Sequence, residues 1–169
     1  GRAMKELLKQ FGGRVDFSII AKWVDEGARV LDLGCGDGDL LEYLIENKQV
    51  RGMGIEIDQR HILNCMEKGI PVIQQDLNQG MANFKDQSFD FVILSQTLQV
   101  MHHPSDLMLD MLRVGRYGVA SFPNFAHYSM RANLLLSGRM PKSKSFPYEW
   151  HNTPNIHNIT IKDFRAFCN

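Results

Sequence analysis

The sequence predicts a doubly wound α/β fold, a mostly parallel sheet with helices on both faces. Three observations predict it. Apolar runs alternate with stretches of helical period in the order βαβαβ(α)βαβ between about residue 28 and residue 122. The first run, Leu31-Asp32-Leu33, ends in alternating glycines (Gly34, Gly36, Gly38) and passes at once into Leu40, Leu41, Leu44 and Ile45 at helical spacing. Carboxylates then stand at the ends of two further runs, Glu56 and Asp76. In such sheets ligands bind beyond the carboxyl ends of the strands, where the chain order reverses.

Phe17, Ile20, Ala21 and Val24 recur at helical spacing and predict a helix leading into the first strand, with Asp16 or Ser18 as its cap. The turn after that strand permits close approach of a ligand to bare backbone. Its spacing is Gly34-x-Gly36-x-Gly38, and Asp39 stands where a dinucleotide-binding turn wants its third glycine. No Gly-Lys-Ser/Thr follows, which excludes a P-loop. Asp37 and Asp39 would repel a phosphate, whereas S-adenosylmethionine has no phosphate and carries a sulfonium and an ammonium. An acidic glycine turn suits that cofactor better than NAD. A plain strand-to-helix turn capped by Asp39 is the competing reading.

A helix at about 39–47 leads to a second strand, Val50 to Ile57, with Glu56 twenty residues after Gly36. A carboxylate there can accept from both ribose hydroxyls, as in the dinucleotide folds, or stand as a solvated strand end. A helix at 59–68 follows, then a third strand, Pro71 to Gln75, closed by Asp76 and Leu77. Asp76 can accept from an adenine amino group, with the following backbone facing the ring, or serve only as a turn residue. The fourth strand, Phe89 to Ser95, is apolar enough to be buried on both faces, and Ser95 and Gln96 lie at its carboxyl end. A helix at 105–112 and a fifth strand at 117–122 complete the alternation. The expected cofactor contacts are thus Asp32, Gly34, Cys35, Gly36 and Gly38 in the first strand and turn. Glu56 with Ile57, Asp76 with Leu77, and Ser95 with Gln96 follow at the next strand ends.

Composition sets outer bounds. The 169 residues fit one domain, and 44% are hydrophobic, enough for a core. Lys plus Arg equals Asp plus Glu at 19 each, which gives no support for nucleic-acid binding or an electrostatically held membrane surface. The three cysteines, Cys35, Cys65 and Cys168, form neither a CxxC pair nor a disulfide framework, so a reducing cytoplasm is the expected compartment. No apolar run approaches membrane-spanning length, and no zinc-like spacing joins His151 and His157 to a third ligand. Gly1-Arg2-Ala3 before Met4 reads as a cloning remnant, and Met4 to Gln10 as a short helix broken by Gly12-Gly13. Residues 1–13 are thereby set apart from a single domain at 14–169.

Beyond Phe122 the pattern changes. A short helix is expected near 130–136, then a stretch without period to Asn158 that holds three prolines, and last a helix capped by Thr160. Long irregular segments in small domains are often lids or binding loops, so 123–158 is read as a lid or interface. His102-His103-Pro104 reads as a loop before a helix capped by Ser105. His127 and Tyr128, following the fifth strand, are weak candidates for a catalytic base, and no catalytic residue is assigned.

Taken together, the segments LDLGCGDG (31–38), GIEID (54–58), QQDL (74–77), SFDFVILSQTLQ (88–99), MLRVGR (111–116), SFPNF (121–125), GRMP (138–141) and TPNIHNITIKDF (153–164) resemble the MetW family of methionine biosynthesis proteins. That family has the Rossmann-like fold of the class I S-adenosylmethionine-dependent methyltransferases. The resemblance implies that cofactor, contacts at Gly34–Gly38, Glu56 and Asp76, and a role beside homoserine O-acetyltransferase as partner. Methyl transfer to an unidentified acceptor is expected from the fold. The alternative is a non-catalytic module that senses S-adenosylmethionine and activates the acetyltransferase, docking through Phe125, Tyr128, Phe146, Tyr148, Trp150 and Arg139. Class I sheets close with a sixth and a seventh strand. This sequence stops at Asn169, so those C-terminal strands are expected to be missing from it, with the fifth strand left as an edge.

Overall fold

The computed structural model describes residues 15–95, 97–142, 149 and 151–169. The expected helix at 4–10 lies outside them, as do Gln96, Phe146, Tyr148 and Trp150. The chain divides into two compact units: the described residues up to Ser95 together with 103–120, and 97–102 together with 121–169.

The first unit holds the sheet. Helix α1 spans Val15–Ala21, so Asp16 and Ser18 lie within it and neither is its cap. Strand β1 (Arg29–Leu33), helix α2 (Asp39–Lys48), strand β2 (Arg51–Glu56), helix α3 (Gln59–Glu67) and strand β3 (Val72–Gln74) follow. After a 3-10 turn at Leu77–Gln79 come strand β4 (Phe89–Ser95), helix α4 (Pro104–Val114) and strand β5 (Gly115–Ser121), whose last residue passes into the second unit. The expected alternation is therefore present, with ends moved by one to three residues. Helix α4 starts at Pro104, whose fixed φ suits a first helical position, so Ser105 is inside the helix rather than its cap.

The strand order is β3-β2-β1-β4-β5. β1 pairs in parallel with β2 (Leu33 opposite Ile55) and with β4 (Asp32 opposite Ile93), and β2 with β3 (Glu56 opposite Gln74). The chain works outward from β1 to β3, then returns to β4 on the other side of β1. The switch point therefore lies between β1 and β4, beside the glycine turn.

The two central strands are buried on both faces, as in doubly wound folds. Val30, Leu31 and Leu33 of β1 and Val92, Ile93 and Leu94 of β4 are fully buried. One core cluster joins Ile20 and Ala21 of α1, Val24, and Leu40, Leu41 and Leu44 of α2 to Val30 and Ile93. The two glycines of β2 explain how closely α2 and the turn before it approach. A Cβ on Gly52 would lie 2.9 Å from Leu41 Cδ2, and one on Gly54 would lie 2.3 Å from Cys35 Sγ. At the amino end, Asp90 of β4 accepts from Arg29 N, Nε and Nη2 at 2.8, 3.2 and 2.9 Å.

The second unit carries helix α5 (Tyr128–Ser137) and helix α6 (Ile161–Cys168), the latter capped by Thr160 Oγ1 accepting from Asp163 N at 3.1 Å, as expected. Among the described residues between them there is neither helix nor strand. The backbone of 156–157 is held instead by Gln99 O, which accepts from Ile156 N and His157 N at 2.8 and 3.0 Å.

Candidate functional site

The glycine turn hangs from β2. Gly34 N and Cys35 N both donate to Ile55 O, at 2.8 and 3.0 Å. Gly34, Gly36 and Gly38 all have positive φ, a conformation that favours glycine. At Gly36 an added Cβ would meet nothing within 4 Å. The backbone there is bare and borders open space, the cradle expected for a ligand lying on the turn. Gly38 is the N-cap of α2 without a side-chain cap, so the reading of Asp39 as cap does not hold.

Glu56 is more deeply engaged than a strand-end carboxylate in solvent. It is 9% exposed. Its Oε2 accepts from Gly36 N at 2.8 Å, and its Oε1 accepts from Ile57 N and Asp58 N at 2.8 and 3.0 Å. The carboxylate thus clamps the glycine turn to the loop after β2. A carboxylate offers about four acceptor positions, which leaves room at Oε2 for a further donor. Ile57, next in sequence, is 58% exposed and presents apolar surface beside this clamp.

Asp32 lies almost fully buried at 2% exposure, and its Oδ1 has no hydrogen-bond partner among the described residues. Burial, and secondarily the charge of Glu56, push its carboxyl up to about 7. A buried carboxylate oxygen without a partner is costly, and a cationic ligand would relieve it.

Asp37 and Asp39 play a different part from the one their charge implied. Asp37 is bonded to His61 and Asn64 of α3, and Asp39 pairs with Lys68 just beyond it. Both are thus engaged by side chains of α3 and its C-cap, while the carboxylates buried beside the turn are Asp32 and Glu56, and nothing in their spacing announced that division. Cys35 is buried, its thiol pushed up by burial, and its Sγ fills the groove over Gly54, which agrees with reading it as a small packing residue.

At the next strand ends, Asp76 Oδ1 accepts from Asn78 N and Nδ2 at 2.9 and 3.0 Å, capping the 3-10 turn with Leu77 buried behind it. Ser95 closes β4, and Gln96 lies outside the described residues. The first unit therefore brings Asp32, Gly34, Cys35, Gly36, Gly38 and Glu56 together by direct contact or adjacency. It sets Asp76, Leu77 and Ser95 at neighbouring strand ends. His127 belongs to the second unit. It is the N-cap of α5, with Nδ1 2.8 Å from Ser129 Oγ, and its ring lies 4.3 Å from that of the exposed Tyr128. Those contacts account for His127 without chemistry.

Three features bear on whether these residues fit S-adenosylmethionine: bare backbone at Gly36, an orphaned buried oxygen on Asp32, and two buried carboxylates suited to a cation rather than a phosphate. All three fit. Among the described residues no cluster of three or more His, Cys, Asp or Glu is placed to hold a metal, and no helix is long and apolar enough to cross a membrane.

The second unit presents one further surface. Tyr128, Leu135 and Leu136 of α5 are 77%, 85% and 85% exposed. A shallow cavity of about 700 Å³ is lined there by Tyr128, Arg131, Ala132, Leu134 and Leu135.

Comparison with known proteins bears on the family and the fold. The model of the family "Methionine biosynthesis protein MetW" matches residues 14–169. A bifunctional methionine biosynthesis protein MetXA/MetW from Rhodopirellula baltica is 42% identical over 160 residues, 89% of this chain. The chain spans only 26% of that relative's length. Among solved structures, a SAM-dependent methyltransferase from Archaeoglobus fulgidus aligns with TM-score 0.68 at 18% identity, over 98% of this chain and 72% of that one. One from Thermotoga maritima gives 0.66 at 16%, over 98% and 75%. At such identities the likeness concerns the fold: the sheet and helices follow the Rossmann-like arrangement of those structures.

Proposed function

Because the chain belongs to the MetW family of methionine biosynthesis proteins, we propose that its first unit binds S-adenosylmethionine at the carboxyl ends of β1 and β2. The observation that carries this reading is the bare, positive-φ backbone of Gly36 set beside two buried carboxylates, Asp32 and Glu56. In it, Asp32 faces the ligand's positive charge and Glu56 accepts from the ribose. Ile57 offers apolar surface to the adenine, Asp76 and Leu77 border the ring, and Ser95 stands at the end of β4. When bound, the cofactor supplies an electrophilic methyl group. The protein's task is then to hold a nucleophile in line with it, so positioning supplies much of the acceleration. The acceptor is unidentified, and no residue of this chain is assigned as its base.

A second reading is favoured by a specific observation, the MetXA/MetW relative, whose name joins two methionine biosynthesis functions in one polypeptide. In that reading the chain senses S-adenosylmethionine and activates homoserine O-acetyltransferase. Its docking surface includes the exposed Tyr128, Leu135 and Leu136 of α5, since exposed apolar clusters mark contact sites.

Titration calorimetry tests the cofactor. S-adenosylmethionine is expected to bind and NAD to give no heat; binding of NAD alone would replace the reading with a dehydrogenase. Acetyl transfer by homoserine O-acetyltransferase, assayed with this protein with and without S-adenosylmethionine, separates the two functions. A change in acetyl transfer supports the partner reading, and no change together with no co-purification removes it.

A further inference from the structure

The glycine turn is held from one side by α3, and the tie runs through the turn's own aspartate. Asp37 Oδ1 lies 2.6 Å from His61 Nδ1 and accepts from Asn64 Nδ2 at 2.7 Å. Cys65 Sγ donates to Gly36 O at 3.2 Å. Lys68 adds ion pairs to Asp39 and, at 2.9 Å, to Glu42. The turn needs these ties because the N-cap of α2 is a glycine with no side-chain cap. Gly36, one residue from Asp37, is also the residue whose N–H meets Glu56 and whose bare face borders open space. A shift of the turn against α3 would carry Gly36 off Glu56 and alter the cradle.

We propose that Asp37 and His61 are positioning residues for the cofactor: they touch no part of it, and they fix the Gly34–Gly38 turn in the shape that binds it. This rests on the cofactor reading above. The pair also makes the hold responsive to pH. The side chains are 43% and 41% exposed, so His61 exchanges protons with solvent. Its hydrogen bond to Asp37 raises its proton affinity against the opposing effect of partial burial, and Glu56 of β2 and Asp58 at the head of α3 add to the increase. Asn64 is neutral, and Lys68 is a further cation acting on Asp37. An imidazolium donates a charge-assisted bond to Asp37, stronger than the bond from the neutral ring. The turn is therefore held most firmly below the raised pKa of His61 and more loosely above it.

Calorimetric titration of S-adenosylmethionine into wild type, His61→Gln, Asp37→Asn and Asp37→Ala from about pH 5.5 to about pH 9 tests this. Melting temperatures recorded alongside identify any variant that fails to fold. Gln keeps a neutral donor to Asp37. The wild type is expected to bind several-fold more tightly than His61→Gln on the acid side, with the ratio falling to near one on the alkaline side. Any titration of Asp32 is common to both proteins and cancels in the ratio. Asp37→Ala is expected to weaken binding about tenfold, with Asp37→Asn in between. If Asp37→Ala does not fold, the His61→Gln ratio and Asp37→Asn decide the matter. A ratio that does not change with pH, or folded Asp37 variants with wild-type affinity, overturns the proposal while leaving the cofactor reading intact. A wild type that binds no S-adenosylmethionine at any pH overturns both.

Discussion

At the scale of single residues, the site is organised by two carboxylates with opposite problems. Glu56 has more donors than a strand-end glutamate usually finds, and Asp32 has too few. In the proposed reading Asp32 binds the cation only when ionised. In His61→Gln, where the His61 contribution is absent, affinity for S-adenosylmethionine is therefore expected to rise with pH through about 7 and then level off. Asp32→Asn is expected to lose about tenfold in affinity and to abolish that rise, as measured by calorimetry across the same range. A folded Asp32→Asn variant with unchanged affinity would assign Asp32 to structure alone. Gly36→Val is expected to abolish binding, because the branched side chain occupies the open space over the turn and is strained at a φ of 54°. Glu56→Ala is expected to weaken binding by about 1–3 kcal/mol and to leave three N–H groups without their acceptor. Position and residue type made Glu56 and the glycines legible in the sequence. The orphaned oxygen of Asp32 was not, because it depends on what surrounds the carboxylate in three dimensions.

At the scale of elements, the strands and helices of the first unit were readable because their period and their glycine and proline punctuation agree. The caps were less so. Asp16, Ser18, Asp39 and Ser105 are all plausible caps by type, yet Asp16 and Ser18 lie inside Val15–Ala21, α2 begins after Gly38 and α4 begins at Pro104. Capping depends on one or two backbone angles, which composition does not encode. The pairing of Asp37 and Asp39 with α3 was hidden for a similar reason, since the partners lie more than twenty residues away. The contact of β2 with α2 and the turn before it yields a stability prediction. Gly54→Ala places a Cβ against Cys35 Sγ and is expected to cost about 1–3 kcal/mol in chemical denaturation. Leu41→Ala, at a fully buried position in the same interface, is expected to cost about 2–5 kcal/mol.

At the scale of the whole molecule, the titrating groups set a pH profile. Asp58 and Asp90 are held down to about 2 by Arg60 and Arg29, so what they contribute is present above the ordinary carboxylate range and is lost as pH falls toward 2. Asp32 acts in the other direction. Its pKa is raised, so the folded chain holds a proton that the unfolded chain releases, and stability declines from about pH 4 to about pH 7. The raised pKa of His61 removes a further contribution as pH rises through it. The melting temperature of the free protein is therefore expected to peak on the acid side of neutrality, and saturating S-adenosylmethionine to flatten its decline toward pH 7. A profile that peaks above neutrality in the free protein would contradict the assignment of Asp32. The second unit was the least legible part. Among its described residues, 156 and 157 are held by long-range backbone bonds to Gln99 O, which leave no period in the sequence.

The contact between Cys35 and Gly54 also restricts which sequences can share this turn. Thiol and missing side chain fill one volume between them, so neither position is free to vary alone. A library randomised at 35 and 54 together, and selected only for folding, should return a reciprocal pattern: small residues at 35 where 54 gains a methyl group, and bulk at 35 only above glycine. The floor of the proposed cofactor cleft would then behave in such a selection as a single two-residue letter.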